Sequence, residues 1–336
     1  MNWSKGYSAS YHMTIVDPVT WRDIDTVNVE GGSIKREDSG LMQSASVDCG
    51  DYPHGVEQWI RIYLTTQQEG DADRVALFTG LATSPGATIS AGRHRSNELE
   101  CYSVLKPADD IYLLRGYYAP TNISGATLIQ QLLSVTPAPI VVEGDAPPLR
   151  SAIIAEDGET RLTMVERILT AMNWRMRIEG DGTITLMENQ YTKEVAIFDP
   201  LEYDVIETKI KITADWFDCP NVFMAILEDM IGIARDESEE SALSIPNRGR
   251  EVWMQESDCV LNANETIASY AQRRLREEQK TRQIASYDRR YDPRVMPGDI
   301  IRMHYPAQNL DGLYYVSDQS IDLGYSARTS EEIMGV

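Results

Sequence analysis

Few of the residue types that carry out catalysis or bind metals occur in this chain, and they lie far apart. The four histidines are His12, His54, His94 and His304. No two of them have the spacing of metal ligands on one helix, and none lies beside a plausible nucleophile. The sequence also lacks a Gly-x-Ser-x-Gly elbow, a His-Glu-x-x-His pair and a glycine-rich phosphate loop. We therefore predict no catalytic residue and no enzymatic activity.

The four cysteines do not form a metal-binding pattern either. They are Cys49, Cys101, Cys219 and Cys259, with no Cys-x-x-Cys pair and no Cys/His spacing of a zinc site. Isolated cysteines of this kind usually behave as small apolar residues of a core. We predict four reduced thiols that are buried or half-buried, no metal ligand and no bound cofactor.

Acidic pairs and exposed aromatic residues are only weak candidates for a site. Asp71 with Asp73, and Asp109 with Asp110, could contact a cation, but neither pair belongs to the oxygen-rich loop of a calcium site. A glycoside hydrolase needs two carboxylates placed across one bond, and the 52 acidic residues single out no such pair. The aromatic residues that could stack on a sugar ring are Tyr117, Tyr118, Trp3, Tyr7 and Tyr11. Core or interface positions are the commoner use of such rings.

The net charge of the chain is strongly negative. Lys+Arg 31 against Asp+Glu 52 gives −21, whereas binding to duplex DNA by counterion release requires clustered positive charge. Specific nucleic-acid binding is therefore disfavoured, and the acidic charge serves either solubility or a surface that repels phosphates. No apolar run approaches the roughly 18–20 residues of a membrane span, and the first residues contain no apolar signal core. We expect synthesis in a cytoplasm and no membrane span.

Length and periodicity indicate several domains, of which the first is β. A chain of 336 residues is long enough for two or three domains. Residues 1–106 contain short β-rich runs that glycine, proline and aspartate separate. The runs are Tyr11–Val16, Ser33–Lys35, Ser44–Cys49, Gln58–Leu64, Arg74–Ala82, Ala87–Ala91 and Glu98–Val104. Alternation in the fourth run places Ile60, Ile62 and Leu64 on one face. Many short strands with turn signals predict a barrel or sandwich.

The hydrophobic period changes to that of helices in residues 107–200. Apolar residues at helical spacing predict helices over Gly125–Val135 and Thr160–Asn173. Four prolines within 137–148 predict an extended linker between these helices. Residues Trp174–Met187 alternate on either side of Gly-Asp-Gly, which predicts a β-hairpin. We expect this region to form a small α+β module.

Residues 201–336 are expected to form a second β domain with one long helix. The run 228–240 holds six acidic residues, one arginine and no aromatic residue, so we predict a solvated acidic loop there. The helix should begin at Asn262, with Glu265 completing a capping box. The other predicted elements are a strand at Arg282–Tyr287, a turn at Pro297–Asp299, a strand at Ile300–Tyr305 and a turn at Asp311-Gly312 that leads into Leu313–Ser317.

Several segments from the three regions occur in a characteristic order. The first region contains IKREDSGLMQSASVDC (34–49), EQWIRIYL (57–64) and ALFTGLATSP (76–85). The second contains a helix followed by NWRMRI, GDG and TITL, and the third contains DPRVMPGDIIRMHYP (292–306). This series resembles the baseplate hub proteins of phages and prophages. Proteins of that family form a trimeric ring under the tail tube of contractile tails and phage-tail-like bacteriocins.

The resemblance implies a fold, an assembly and a set of partners. The fold would be mainly β, with two tube-protein-like β-barrels at 1–106 and 201–336 flanking the α+β module at 107–200. The assembly would be a homotrimer that joins the sixfold tail tube to a threefold spike and forms part of the tail channel, whose acidic wall would repel DNA. The partners would be the tail tube protein, a separate spike protein, baseplate wedge proteins and a tape-measure protein. The chain would be made in the bacterial host cytoplasm and assembled into the baseplate of a virion or phage-tail-like particle.

Two rival functions remain open on the sequence alone. One is a cell-wall-degrading enzyme at a tail tip, which requires a reactive carboxylate that the sequence does not single out. The other is a glycan-binding adhesin of a tail tip that uses Trp3 or Tyr117 as a stacking platform. Neither rival explains why two β domains bracket an α+β insert.

Overall fold

Strands dominate the fold, and one large sheet contains most of them. The computed structural model describes the chain apart from residues 1, 4, 39–42, 51, 53–56, 84–85, 90–94, 190–193, 202–204, 214–215, 263–264, 280–283, 309, 325–327 and 336. The predicted class, mainly β with an α+β insert, is confirmed. Within the described ranges, no helix has the length and apolar character needed to span a membrane.

Seven strands make up the first β region, and each overlaps one predicted run. They are β1 (Ser8–Val16), β2 (Asp23–Glu37), β3 (Ser44–Cys49), β4 (Gln58–Gln68), β5 (Asp71–Ala82), β6 (Gly86–Ile89) and β7 (Arg95–Ser103). The predicted run at 87–91 ends outside the described residues. Strand β2 is much longer than predicted because its first half pairs with β1 and its second half with β3. Partners along its length outweigh the low strand propensity of its Asp, Asn and Gly residues.

The pairings of six of these strands form a closed ring. Strand β1 pairs with β4, β4 with β5, β5 with β7, β7 with β3, β3 with β2, and β2 again with β1. Alternate side chains of these strands point to one shared core, which includes Ile60, Ile62 and Leu64 as predicted. Strand β6 pairs with β7 only, among the strands that the structure describes.

The module has its predicted helices and hairpin. Its elements are α1 (Lys106–Asp109), β8 (Tyr118–Ala119), α2 (Gly125–Leu132), β9 (Ile140–Val142), β10 (Ile153–Ile154), α3 (Arg161–Met172), β11 (Trp174–Ile178) and β12 (Ile184–Glu188). Thr160 caps α3 by accepting a hydrogen bond from the Thr163 amide (3.2 Å), and Asn173 ends it in the left-handed conformation. The proline-rich segment is not simply an extended linker, because β9 pairs in parallel with β12 and completes a three-stranded sheet.

The last third of the chain contains six strands of the large sheet and a small inserted unit. The six strands are β13 (Glu194–Phe198), β14 (Ile206–Thr213), β18 (Ile284–Arg290), β19 (Ile300–Tyr305), β20 (Leu310–Asp322) and β21 (Arg328–Gly335). The inserted unit consists of β15 (Val222–Leu227), β16 (Met230–Arg235), α4 (Ile245–Arg248), β17 (Trp253–Ser257) and α5 (Ile267–Gln279). The six strands follow the order β14-β18-β21-β20-β19-β13 around one apolar core. No pairing joins β13 to β14 in the described part of the chain.

The prediction of an acidic loop at 228–240 is wrong for half of that run. Residues Met230–Arg235 form strand β16, which pairs with β15. Gly232 lies so close to the start of α5 that a Cβ atom there would be 2.4 Å from the carbonyl oxygen of Ile267. Gly232 and Ala234 of β16 therefore lie buried in a sheet that α5 covers, while Glu228 and Asp229 form the turn before the strand and the residues after Arg235 remain a loop.

Two predicted turn and cap positions are also wrong. Helix α5 is capped by Thr266, whose hydroxyl accepts a hydrogen bond from the Ser269 amide (3.1 Å), whereas Glu265 pairs with Arg273 (3.0 Å). The hydroxyl groups of Thr266 and Ser269 thus bond to the backbone at the start of α5, in place of the capping box that was predicted from Asn262. The reversal before β20 is a 3₁₀ turn at Pro306–Gln308, so the Asp311-Gly312 pair lies inside that strand.

We call β1–β7 the first strand set and the six sheet strands of the last third the second strand set. Strands β2 and β20 join the two sets into one sheet. Five antiparallel residue pairs, from Ser33–Asp322 to Glu37–Asp318, connect them. The sheet runs in the order β1-β4-β5-β7-β3-β2-β20-β21-β18-β14. The first 40 and the last 30 or so residues thus fold against each other, and we call the β2–β20 pairing the seam.

Candidate functional site

The two described histidines, His12 and His304, lie on different strands and make local contacts. The ring of His12 stacks on Tyr63 with centroids 5.2 Å apart, and burial lowers the pKa of His12. The Nδ1 atom of His304 lies 3.1 Å from a carboxylate oxygen of Asp311, and this hydrogen bond raises the pKa of His304. The other two histidines, His54 and His94, lie outside the described residues. Over the described ranges, no group of three or more His, Cys, Asp or Glu residues is placed to hold a metal ion.

The acidic pairs and the cysteines are not arranged for chemistry. Asp109 and Asp110 both pair with Lys106 on the same short helix. All four cysteines are buried, and burial raises the pKa of Cys49 to about 11 and the pKa of Cys101 to about 12. Thiols with such pKa values stay protonated and are poor nucleophiles. The other acidic pair, Asp71 and Asp73, is exposed at the start of β5.

The aromatic residues near the N-terminus hold the fold together. Trp3 is buried, with its ring edge-on to Tyr7 at 5.4 Å. The hydroxyl of Tyr7 donates to the carbonyl oxygen of Tyr291 (2.8 Å), and that of Tyr11 donates to the carbonyl oxygen of Asp322 (3.3 Å). These contacts fasten the start of the chain to the second set of strands. Of the other two candidates, Tyr117 is half-buried and Tyr118 is exposed on β8.

One continuous part of the described surface is a side of seven neighbouring strands, β7-β3-β2-β20-β21-β18-β14. Their registers place alternate residues of every strand on the same side, where they are half-buried or exposed. We call this side the polar face. Its polar residues are Glu98, Glu100, Tyr102, Ser44, Ser46, Asp48, Ser33, Lys35, Glu37, Asp318, Ser320, Asp322, Arg328, Ser330, Glu332, Ser286, Asp288, Arg290, Glu207, Lys209 and Lys211.

Carboxylates outnumber cations on the polar face. The set contains nine carboxylates and five cations, which is a difference of −4. Three carboxylates form a row across the seam, with Glu37 opposite Asp318 and Asp318 opposite Glu332. Burial, and then the charge of Asp318, raise the pKa of Glu37. The middle of the polar face is thus a place where negative charge is crowded.

Three hollows of the described surface lie along the polar face. One, of about 400 Å³, extends over β2, β20, β21, β18 and β14 and is lined by charges of both signs. The second, of about 550 Å³, lies where β2 and β3 meet the module, next to Leu162 and Glu166 of α3. The third, of about 320 Å³, lies over β2, β3 and β7 and has the buried Cys101 in its lining. None of the three is lined by a histidine, and none places a nucleophile beside a base. Their chemistry is that of a polar wall.

A buried carboxylate lies under the polar face. Glu331 accepts hydrogen bonds from Arg289 Nε (2.7 Å), from the Tyr287 hydroxyl (2.9 Å) and from Gln319 Nε2 (2.8 Å). The side chains of Glu331 and Arg289 have no solvent exposure. Burial would lower the pKa of Arg289, but Glu331 keeps it above its ordinary value, while burial and then Glu331 raise the pKa of Tyr287. Every described partner of this carboxylate is a donor, as a buried charge requires.

The same network crosses the seam through Arg36. The amide oxygen of Gln319 accepts from Arg36 Nη1 (3.2 Å), and the Nη2 atom of Arg36 donates to the carbonyl oxygen of Leu77 on β5. A continuous chain of hydrogen bonds therefore links β18 and β21 of the second strand set to β2 and β5 of the first. Sequence reasoning missed these residues. These residues are polar side chains that point into the core from a strand. The sequence does not distinguish them from polar side chains that point outward until the register of the strand is known.

The module is held between the two strand sets by two arginines of its hairpin. Arg175 Nη1 donates to the carbonyl oxygen of Gly298 (2.8 Å), and Arg177 Nη1 pairs with Asp299 (2.9 Å). Both acceptors belong to the Pro-Gly-Asp turn that the sequence singled out. Burial raises the pKa of Asp299, and Arg177 opposes that rise. The turn is therefore a contact point between the module and the second strand set.

The tip of the same hairpin packs on the first strand set. The Thr79 hydroxyl donates to the carbonyl oxygen of Gly180 (2.8 Å), and Arg61 Nη2 donates to that of Asp181 (3.0 Å). Gly180 has no space for a side chain, because a Cβ atom would lie 1.9 Å from the carbonyl oxygen of Ala76. The Gly-Asp-Gly turn is thus a docking contact as well as a hairpin turn.

Solved structures of tail proteins share this fold over nearly the whole chain. The 43 kDa tail protein of prophage MuSo2 from Shewanella oneidensis has 12% identity and a TM-score of 0.66, over 97% of each chain. The tail protein from Neisseria meningitidis MC58 has 12% identity and a TM-score of 0.71, over 98% of this chain and 97% of that one. A prophage tail protein from Listeria monocytogenes EGD-e has 9% identity and a TM-score of 0.58, over 97% and 94%. At these identities the likeness is one of fold. No protein-family model matches the sequence, and no curated protein matches it.

Replacing the buried carboxylate should destabilise the protein strongly. We expect Glu331→Gln to lower the free energy of unfolding by about 3–5 kcal/mol, because Arg289 keeps its buried charge and loses its counter-charge. Urea unfolding followed by circular dichroism measures the change. The control is Glu332→Gln, the same substitution one residue further on the polar face, which should change stability by about 0.5 kcal/mol or less. Equal losses in the two variants would contradict the role given to Glu331.

A methyl group at the hairpin tip should weaken the attachment of the module. We expect Gly180→Ala to cost about 1–3 kcal/mol, since the added Cβ atom must displace backbone of β5. Thermal unfolding gives the stability, and limited proteolysis reports whether the module separates first. Gly6→Ala is the control, because nothing lies within 4 Å of a Cβ atom at Gly6. A Gly180→Ala protein as stable as the Gly6→Ala protein would refute the close docking of the hairpin.

Proposed function

We propose that this protein is a structural hub of a phage-type tail baseplate. Three copies form a ring that joins a sixfold tail tube to a threefold spike and encloses part of the tail channel. The observation that carries the proposal is the joining of two strand sets at the seam, in a chain whose fold is that of prophage tail proteins. The protein acts through shape and copy number and has no catalytic role.

Two strand sets in one chain provide a way to match different symmetries. In our proposal each set corresponds to one tube-like barrel, so that three chains present six barrels to the tube and three equivalent faces to the spike. The closed ring of pairings in the first set supports the first barrel. The second set has six strands around one core, as many as the closed ring of the first set, with its ends at β13 and β14. We propose the division at 1–106, 107–200 and 201–336 with one change: strand β13 (Glu194–Phe198) pairs with β19 and belongs to the last part, into which the unit at 216–279 is inserted.

The polar face is the part of the molecule suited to line the channel. It spans both strand sets without interruption, so that three copies would provide a wall of 21 strands from the seven that each contributes. Its surplus of carboxylates repels phosphates, and its serines form few strong contacts with a passing polymer. DNA and a tape-measure protein would therefore slide along it without binding tightly.

The remaining partners follow from this place in the particle. The ring would contact the tail tube protein on one side, a spike protein on the other, and baseplate wedge proteins at its outer rim. The chain would be made in the bacterial host cytoplasm and then assembled into a virion tail or phage-tail-like particle. These partners rest on the proposed role together with the shared fold.

The purified chain should form a trimer. We expect analytical ultracentrifugation at micromolar concentration to show a species of three times the monomer mass, and electron microscopy to show rings with a central opening. A purified chain that stays monomeric at these concentrations, and that forms no ring when a spike or tube protein is added, would contradict the proposal. Zymograms on peptidoglycan should show no clearing.

Reversing charge at the centre of the polar face should create DNA binding. We expect the wild-type chain to leave duplex DNA unretarded in a gel at low salt. The double variant Asp318→Lys with Glu332→Lys should retard it, and the retardation should disappear as salt rises, because counterion release drives such binding. The control is Glu156→Lys with Asp157→Lys, which makes the same charge change on the module surface away from the polar face. Equal DNA binding by both double variants would contradict a special role for the polar face.

A further inference from the structure

The three-stranded sheet of the inserted unit has one side that α5 does not cover. Its strands follow the order β16-β15-β17. One side carries Phe223, Ala225 and Ala234, which pack in one core with residues of α5. The registers place alternate residues of the three strands on the opposite side, which we call the outer side. Its residues are Ile231, Ile233, Arg235, Val222, Met224, Ile226, Trp253, Gln255 and Ser257.

Apolar side chains of the outer side are exposed to solvent. Ile231 is 60% exposed and Ile233 is 47% exposed. They lie beside Ile226 and Met224 of the neighbouring strand, which are half-buried. The four side chains form one apolar patch on two adjacent strands. Exposed apolar patches of this kind commonly mark a contact with another molecule.

Polar contacts close the patch at one end. The guanidinium of Arg235 lies 5.3 Å from the centroid of the Trp253 ring. Glu251 forms an ion pair with Arg235 and accepts a hydrogen bond from Trp253 Nε1 (2.7 Å). In the register Val222 lies between Arg235 and Trp253, and it is fully buried. The charge of Arg235 is therefore already balanced by a carboxylate of its own chain.

Strand β16 also has a free edge. It pairs with β15 along one edge, and no described strand pairs with the other. The strand Met230–Arg235 thus presents unpaired backbone groups at that edge, within the described part of the chain. The exposed Ile231 and Ile233 belong to the same strand. A strand that added here would form backbone hydrogen bonds and would cover both isoleucines with its own side chains.

Carboxylates lie beyond both ends of β16. Three are at or near the turn from β15 to β16, and three are in the loop that follows β16. The first group is Glu228, Asp229 and Asp258, and the second is Glu237, Glu239 and Glu240. All six are exposed, and none forms an ion pair with a described residue. The apolar patch therefore lies between two acidic ends.

We propose that an extended segment of another protein adds to the free edge of β16 as a fourth strand of this sheet. The segment is apolar in its centre, where it covers Ile231 and Ile233, and basic at both ends, where it meets the two acidic groups. All parts of this site belong to one chain. The inference therefore goes beyond the hub role and does not depend on it.

The charges disfavour the other occupants of such an edge. If β16 strands of two copies paired with each other, six carboxylates from each copy would come together, because both ends of the patch are acidic and either strand direction sets acid beside acid. Arg235 offsets none of this charge, since Glu251 holds it. An anionic lipid surface would be repelled by the same groups. A cationic segment instead gains a partner at each end.

A synthetic probe tests the chemistry of the segment. It is a short labelled peptide of alternating valine and threonine with two lysines at each end. We expect fluorescence anisotropy to show binding to the wild-type chain at low salt, and binding at least about tenfold weaker when glutamates replace the lysines. Methylating the backbone nitrogens of the valines and threonines should abolish binding, because the peptide then has no donors for β16. Failure of the lysine peptide to bind, or equal binding by all three peptides, would overturn the inference.

Paired substitutions locate the site on the chain. Ile231→Thr with Ile233→Thr keeps residues of high strand propensity but removes apolar surface, so it should weaken binding of the lysine peptide about tenfold. The control is Ile24→Thr with Ile154→Thr, because these isoleucines are 66% and 65% exposed on β2 and β10, outside the inserted unit. Thermal unfolding shows whether each variant folds. Equal effects of the two pairs would place the peptide elsewhere and refute the site.

Charge reversal tests the two acidic ends. Asp229→Lys with Glu237→Lys should weaken binding of the lysine peptide and strengthen binding of the glutamate peptide. Glu156→Lys with Asp157→Lys changes the net charge by the same amount on the module, so it should leave both affinities nearly unchanged. Two double variants that shift both affinities alike would show that only the net charge matters, and would contradict the proposed contact.

Sedimentation of the same proteins separates this inference from the hub role. If the assembly of the wild-type chain dissociates in the Ile231→Thr, Ile233→Thr variant, a second copy occupies the edge and the inference is overturned. A variant that assembles as the wild type does, but loses the peptide, supports it. A wild-type chain that stays monomeric and still binds the peptide contradicts the hub role and leaves the strand-addition site standing.

Discussion

The burial of one carboxylate, that of Glu331, is the constraint on which the joint between the strand sets depends. Removing such an ion from water costs several kcal/mol, and only several donors in good geometry offset that cost. Arg289 and Tyr287 supply donors from the neighbouring strand, and Gln319 supplies one from the other side. The amide of Gln319 donates to Glu331 through its nitrogen and accepts from Arg36 through its oxygen, so it extends the hydrogen-bond network to Arg36. Glutamate there would add a second buried charge, and leucine would end the chain of bonds at the seam.

The hairpin of the module depends on both strand sets being in place. Its arginines reach the Pro-Gly-Asp turn of the second set, and its glycine tip fits against β5 of the first. Each contact is short and local, but the two acceptor surfaces are brought within reach of one hairpin only because the seam fixes them in one sheet. The three parts of the chain therefore constrain one another. A shift at the seam would remove the acceptors of Arg175 and Arg177 at the same time.

Local patterns predicted the elements better than they predicted their partners. The helix at Thr160–Asn173 was found because its cap residues and its apolar stripe both lie within 14 neighbouring residues, and β3 was found with its bounds at Ser44 and Cys49. Strand β16 was missed because acidic residues flank it on both sides and its six residues, Met230–Arg235, show no apolar–polar alternation. The seam and the network at Glu331 could not be read from the sequence, because they join residues almost 300 positions apart. The polar face required the registers of six pairings, none of which a single strand reveals.

The orientation of the seam has a mechanical consequence. Its five residue pairs lie side by side along the strands, so a pull directed along the strand axis strains all of them together, whereas a pull across the sheet opens them one after another. The guanidinium of Arg36 also donates to the amide oxygen of Gln319 on β20, which adds a side-chain contact across the seam to the backbone pairing. The joint is thus stiff towards sliding and compliant towards peeling. In the tail role proposed above, this joint would resist a force best with its strands along the direction of that force.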